Sequence, residues 1–139
     1  MEPVPDVPAT ASGPGRVLVA VYAIFAVAAT SRAGVQIATR FDEAPLPYAL
    51  SAFAAVVYVL ATIALARSGV TWWRVALAAC SVELAGVLTV GVLSIADAAA
   101  FPDETVWSDF GRGYLFIPLV LPVVGLLWLR RTAPTRTPR

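Results

Sequence analysis

The chain alternates between four long apolar stretches and short segments that hold nearly all of its charges. The stretches are 17 to 25 residues long. An α-helix needs about 20 apolar residues to cross a hydrocarbon core of about 30 Å, and each stretch meets or nearly meets that length. Because backbone groups cannot stay unpaired in lipid, the pattern predicts four membrane-spanning helices, at about residues 17–39, 45–66, 72–96 and 113–130.

The connections between these helices are short, which favours an antiparallel neighbour arrangement. We therefore expect an all-α fold, a polytopic membrane protein built as an antiparallel bundle of four transmembrane helices over residues 16–131. Residues 1–15 hold four Pro and are predicted to form a disordered tail, and residues 132–139 a basic tail.

A second interpretation of the first apolar stretch is a signal peptide, since residues 26–28 read Ala-Val-Ala, the pattern of a cleavage site. The preceding tail is acidic, and the apolar stretch continues beyond the candidate site. We therefore favour the spanning helix, and the intact mass of the mature protein distinguishes the two.

The composition supports lipid as the solvent of this chain. Hydrophobic residues make up 59% of the sequence and charged residues 14%, with a mean hydropathy of +0.78. A soluble domain is close to half apolar with about a quarter of its residues charged. A disordered chain, a collagen-like fibre, a disulfide-stapled secreted domain and a nucleic-acid binder are therefore disfavoured, and membrane lipids are the expected surroundings.

The charges divide unequally between the two sides of the predicted bundle. One side, which includes both chain ends, holds seven Arg and two acids, and the other holds two Arg and six acids. Cytoplasmic segments carry the excess of basic residues in membrane proteins. The division predicts a multi-pass protein of the inner (plasma) membrane with both termini in the cytoplasm.

The side chains of common cofactor sites are scarce. The chain has no His, and Cys80 is its single Cys. Haem, zinc, copper and iron-sulfur clusters depend on such ligands. No Ser-His-Asp arrangement or pair of catalytic carboxylates occurs either. We expect no metal, no cofactor and no enzymatic activity.

The first helix has two specialised faces. Arg32, Gln36 and Arg40 are four residues apart and share one face. The opposite face is a ridge of small residues that allows close helix approach. The pattern predicts a helix that is central in the bundle or docks a second protein; the ridge consists of Ala26, Thr30, Gly34 and Ala38.

A polar site is predicted inside the membrane from Arg32, Gln36, Tyr58 and Glu83. Glu83 lies near the midplane and Arg32 about 8 Å nearer the outer side, a gap that an Arg side chain can largely bridge. Tyr58 lies at a depth from which it could donate to the Glu83 carboxylate. A structural ion pair or hydrogen-bonded carboxyl is the favoured interpretation; a proton or substrate site and an interface with a partner subunit are the alternatives.

The outer connection, residues 97–112, is the longest and most chemically mixed segment between helices. Trp107 and Phe110 are three residues apart, and a short helix would place both at the lipid surface. We favour a solvated interfacial loop. The alternative is a ligand or partner site that uses Asp103, Glu104, Trp107 and Asp109.

Two segments carry a resemblance to a known group. The sequence RFDEAPLPYALSA at residues 40–52 and TVWSDFGRGYLFIPLVLP at residues 105–122 resemble those of small four-helix integral membrane proteins of actinobacteria. The resemblance covers about residues 16–131. It implies the same topology, and it implies no activity and no functional residue.

Two functions are compatible with these observations. The leading hypothesis is a non-catalytic accessory or assembly subunit of a cell-envelope membrane complex, whose partner is another membrane protein or a second copy of the chain. The alternative is a small transporter or channel component that uses an intramembrane site of Glu83 and Arg32. A membrane enzyme is third.

Overall fold

The computed structural model describes residues 9–134. Helix makes up 85% of that part of the chain, which contains no strand. Four α-helices follow in order. The helices are α1 (Pro14–Arg40), α2 (Pro45–Ala66), α3 (Val70–Ala96) and α4 (Ile117–Arg131). α1 and α2 are joined by a short 3₁₀ segment, α2 and α3 by a turn, and α3 and α4 by the longer connection of residues 97–116.

Local sequence explains where the helices begin. α1, α2 and α4 each have a Pro in the first two helical positions, where its fixed φ suits a helix and its missing N–H costs nothing. Gly69 precedes α3 with a φ of 104°, a conformation that L side chains rarely adopt, and it reverses the chain after α2.

Consecutive helices pack against each other: α1 on α2, α2 on α3 and α3 on α4. We call the end of the bundle near the α2–α3 turn the inner end, and the end near residues 97–116 the outer end. Both chain ends of the described region lie at the inner end, since Trp128 of α4 donates to the carbonyl of Thr10 over 2.9 Å.

Apolar side chains cover the outside of the bundle while polar ones lie inside it. Ile24, Val27 and Ile95 are 63 to 69% exposed, whereas the carboxyl-bearing Glu83 is 0% exposed. This distribution reverses that of a water-soluble bundle and suits a lipid solvent. Three helices are long and apolar enough to cross a membrane, or four when a bent pair is counted as one span.

The bent pair corrects the predicted fourth helix. It consists of the 3₁₀ segment Ser108–Tyr114 and α4, which meet at 98°. α4 begins at Ile117 rather than at residue 113 and has 15 residues, so it is only about 22 Å long. The apolar pattern could not reveal the bend, because residues 113–116 are uncharged and continue the apolar stretch up to the start of α4.

Residues 9–15 differ from the predicted disordered tail. They form a 3₁₀ turn, Ala9–Ala11, and the first residues of α1. Thr10 is buried and donates its hydroxyl to the carbonyl of Leu65 over 2.6 Å. Specific tertiary bonds thus order a Pro-rich and Gly-rich segment, and residues 1–8 and 135–139 of the predicted tails lie outside the described residues.

α1 is not the central helix of the bundle. In the most apolar window of the span that contains it, 22% of residues are buried, compared with 44% for α2 and 39% for α3. On the predicted small-residue ridge Ala26 is buried, but Thr30, Gly34 and Ala38 are exposed. Of the two expectations for this helix, the central position is therefore wrong.

Candidate functional site at the centre of the bundle

Glu83 lies at the middle of α3, thirteen residues from either end, or about 20 Å along the axis. Its side chain is completely buried. The hydroxyl of Tyr22, on α1, donates to Oε1 over 2.7 Å. Within the described residues Oε2 accepts no hydrogen bond. The carboxyl therefore retains unused hydrogen-bonding capacity at the point farthest from water.

All four helices meet around this carboxyl. Tyr58 of α2 is fully buried and its hydroxyl interacts electrostatically with Glu83. Cys80, one turn before Glu83, lies 3.4 Å from the Tyr22 hydroxyl. Gly125 of α4 completes the wall, because a Cβ there would lie 2.9 Å from the Cys80 sulfur and 3.2 Å from the Tyr22 oxygen. The glycine thus allows α4 to approach the polar cluster closely.

Trp107 corrects the prediction for the outer connection, since it is 1% exposed rather than placed at the lipid surface. Its ring lies against Gly86, where a Cβ would come within 2.6 Å of it. Its indole N–H donates to the Tyr58 hydroxyl over 3.2 Å. Gly86 is ten residues before the end of α3, so Trp107 reaches about 15 Å into the bundle.

We call residues 101–116 the outer segment. A tight turn in it positions Trp107, because the Thr105 hydroxyl accepts hydrogen bonds from the backbone N–H groups of Trp107 and Ser108, both over 3.1 Å. The Ser108 hydroxyl accepts one from the N–H of Thr105 over 2.8 Å. Val106, Thr105 and Ser108 are all buried. The outer segment is a packed part of the fold rather than a solvated loop.

The next residues take up a left-handed backbone. Asp109 and Phe110 have φ values of 52° and 60°, and Gly111 follows with 83°. For residues other than Gly this conformation costs roughly 1–2 kcal/mol each. Tertiary contacts offset that cost: Ser94 accepts the Asp109 N–H over 2.9 Å, and the Phe110 ring occupies the space above Gly91 that a side chain would fill.

Arg32 does not pair with Glu83, which corrects that part of the predicted site. Its guanidinium donates to the Tyr114 hydroxyl over 2.6 Å and to the backbone carbonyl of Glu104 over 3.1 Å. Both partners belong to the outer segment. Arg32 therefore ties α1 to that segment instead of neutralising the buried carboxyl.

The acids of the outer connection lie apart from Glu83. Asp103 Oδ2 accepts the Tyr48 hydroxyl over 2.8 Å, and this hydrogen bond lowers the pKa of Asp103. Glu104 contributes only its carbonyl to Arg32, and Asp109 contacts Ser94. Within the described residues no group of three or more acidic, His or Cys side chains could hold a metal ion. The Asp103 and Asp109 side chains each contact a helix of the bundle, through Tyr48 of α2 and Ser94 of α3.

Of the predicted intramembrane residues, the structure brings Tyr58 and Glu83 together and places Arg32 and Gln36 nearer the outer end. Gln36 is 2% exposed, and its Oε1 accepts no hydrogen bond within the described residues. Sequence reasoning missed Tyr22, the partner of Glu83. The depth argument applied to every Tyr would have placed Tyr22 about 7 Å on the inner side of Glu83, within reach of its side chain.

No protein-family model, no curated protein and no solved structure matches this chain. The site is therefore interpreted from its own geometry. It is a fully buried carboxyl, contacted by a Tyr from α1 and a Tyr from α2, in an all-helical chain with three to four helices able to cross a membrane.

Proposed function

We propose that this chain is a four-span protein of the plasma membrane with both ends in the cytoplasm. α4, about 22 Å long, supplies the fourth crossing, and the Ser108–Tyr114 segment, bent by 98° from it, lies across its outer end. The distribution of Arg supports the orientation, with Arg67, Arg130 and Arg131 at the inner end. A reporter fused to the C-terminus should be active only on the cytoplasmic side, and activity outside would reverse the orientation.

The protein's proposed role is that of a non-catalytic accessory or assembly subunit of a cell-envelope membrane complex. One observation carries this proposal: α1 leaves its small-residue face open. An apolar groove of about 430 Å³ runs between α1 and α2, and it includes Thr30, Gly34 and Ala55. No atom of the described residues lies within 4 Å of the position that a Cβ at Gly34 would take. Small residues let a further transmembrane helix approach closely.

Gly34→Leu tests this role, because the added side chain has room in the isolated chain but would fill the groove. We expect the wild-type protein to co-purify in mild detergent with a second membrane protein or a second copy, and the variant to lose that partner. Ala85→Leu is the matched control, since Ala85 is an exposed small residue of α3. A wild-type protein that purifies as a lone monomer, or equal binding by both variants, contradicts the proposal.

A second candidate is a small transporter or channel component. The observation that favours it is the fully buried Glu83 with one free carboxyl oxygen, because ionisable groups inside a membrane mark substrate and ion pathways. Its site consists of Glu83, Tyr22 and Tyr58 rather than the predicted pair with Arg32. Purified protein in liposomes should carry protons or ions down a gradient, and Glu83→Gln should abolish that flux. Flux that is equal in wild type and variant contradicts this candidate.

A further inference from the structure

The polar residues around Glu83 continue toward the outer end. On α1, Phe25 and Arg32 follow Tyr22 on one face, and Arg32 lies about 15 Å farther out along the axis. On α2, Ser51 shares a face with Tyr58 and lies two turns, or about 10 Å, nearer the outer end. The two helices thus carry matching lines of polar and aromatic side chains from the centre outward.

A small cavity lies along this line. Arg32, Ser51 and Tyr114 line it together with Phe25, and its volume is about 10 Å³, close to that needed for one water molecule. The Ser51 hydroxyl is buried and has no hydrogen-bond partner within the described residues. Buried waters occur at sites that offer two to four polar partners, which this cavity provides.

The aromatic ring of Phe25 lies between this cavity and the buried carboxyl. Its centroid is 5.6 Å from that of Tyr58 and 5.9 Å from that of Tyr114. Tyr58 in turn interacts with Glu83. The ring of Phe25 is therefore the barrier between the outer cavity and the Tyr hydroxyls that face the carboxyl, and a rotation of this ring would connect them.

The opposite direction is closed. The buried side chains between Glu83 and the inner end are almost all apolar, and Leu65 and Leu129 are 0% exposed while Leu18 is 6% exposed. The polar groove at the inner end, lined by Arg67 and Trp73, lies beyond these leucines. Within the described residues, the polar neighbours of Glu83 on its inner side are Tyr22 and Cys80. The small polar cavity lies on its outer side.

Among the described residues, the neighbours of Glu83 carry no positive charge. Tyr22 faces it from α1, Tyr58 from α2 and Cys80 from α3, and α4 contributes Gly125. The outer segment adds the neutral Trp107 through Tyr58. An isolated carboxylate at this depth is costly, and protonation removes the charge.

We propose that Glu83 is a proton-binding site that exchanges its proton with the outer end only, through the Arg32–Ser51–Tyr114 cavity and past the ring of Phe25. The ligand is a hydrogen ion delivered by water. The inference shares its central residue with the second candidate function but does not require transport: binding and release at one side move no net charge across the membrane.

Labelling with dicyclohexylcarbodiimide tests the site, because this apolar reagent reacts with protonated carboxyls inside membranes. Glu83 Oε2 adds to the carbodiimide carbon as the proton moves to nitrogen, and acyl transfer then gives a stable acylurea. Mass spectrometry of wild-type protein in liposomes should find one adduct, on Glu83, and none in Glu83→Gln. Wild-type protein should also show an infrared band of a protonated carboxyl, and this band should be absent from Glu83→Gln. The Gln side chain keeps an oxygen that can accept the Tyr22 hydrogen bond. Absence of both signals in the wild type overturns the proposal.

Vesicles with a pH gradient test the sidedness. Raising the pH on the side of the outer segment should slow labelling of Glu83 several-fold, and raising it on the inner side should leave the rate unchanged. Ser51→Val removes the cavity hydroxyl, so it should slow the change in labelling rate that follows a change of outer pH. Leu65→Ala is the control at the inner end and should leave that change as fast as in the wild type. A rate that follows the inner pH overturns the proposal. If Glu83 is labelled but the protein carries no proton flux, the proton-binding site is supported and only the transporter candidate is contradicted.

Discussion

The two ends of the bundle are packed differently. At the inner end the helices and the turn at Thr10 fill the space between the helices, whereas at the outer end the outer segment fills it. The inner bonds run from side chains to backbone carbonyls: Trp73 donates to Leu129 and Trp128 to Thr10. The outer end adds bonds that join pairs of side chains, Arg32 with Tyr114 and Tyr48 with Asp103.

This difference determines how each end responds to change. A backbone carbonyl remains as an acceptor whatever side chain its residue carries, so each inner bond depends on one side chain. Each outer bond of this kind depends on two, and the bond between Tyr48 and Asp103 also depends on protonation. The outer end is therefore the end that substitutions and pH can loosen, and it is also the side of Glu83 on which the small polar cavity lies.

The largest expected effect comes from removing the side chain that anchors the outer segment. Trp107→Ala leaves a cavity beside Gly86 and deprives Tyr58 of its donor, so it should lower the free energy of unfolding by about 3 kcal/mol. Trp72→Ala is the control at the inner end, because Trp72 is half-buried beneath Arg67, and it should cost about 1 kcal/mol or less. Unfolding in detergent measures the free energy of unfolding of both variants. Equal losses of stability would contradict the difference between the two ends.

A smaller effect should distinguish the two possible partners of Arg32. In a double-mutant cycle, Arg32→Gln and Tyr114→Phe should show a coupling of about 1 kcal/mol, since each removes the same hydrogen bond. Arg32→Gln combined with Glu83→Gln should instead be additive within about 0.5 kcal/mol. Strong coupling between Arg32 and Glu83 would instead support the ion pair that the sequence predicts.

The smallest effect concerns pH. The Tyr48 hydrogen bond lowers the pKa of Asp103, so this contact stabilises the fold above the ordinary Asp pKa of about 3.9 and is lost as the pH falls through the lower folded value. The protection of amide hydrogens against exchange, corrected for the intrinsic pH dependence of exchange, should fall in residues 101–107 over that acidic range and stay constant around Thr10. Tyr48→Phe should abolish the acid-dependent change. An equal loss of protection at both ends would contradict this prediction.

The sequence predicts the parts of the fold that depend on local pattern. α2 has the predicted bounds because its apolar stretch is uncharged and begins with Pro45, and α3 ends at Ala96 as expected. Burial of Glu83 also follows from the pattern, since a carboxyl within an apolar stretch must avoid lipid.

The rest depends on contacts between distant residues. The spacing of Trp107 and Phe110 indicates a surface helix, and only the glycines at positions 86 and 91 of α3 create the spaces that these rings occupy. Likewise, the depths of Arg32 and Glu83 along their helices predict that the two lie close together. Depth alone cannot show that the Tyr114 hydroxyl is a closer acceptor for Arg32. Side-chain partners within a bundle depend on rotation of the helices, which apolar length does not determine.

The insertion of Trp107 between Gly86 and Tyr58 has a consequence for biosynthesis. Both residues belong to helices that leave the ribosome before Trp107 does, so its binding place exists only after α2 and α3 have paired. The outer segment must then settle last, together with the short α4. A newly made chain in which the first three helices have mispaired would leave this tryptophan and the strained turn after it exposed, which is the kind of surface that chaperones and membrane proteases recognise.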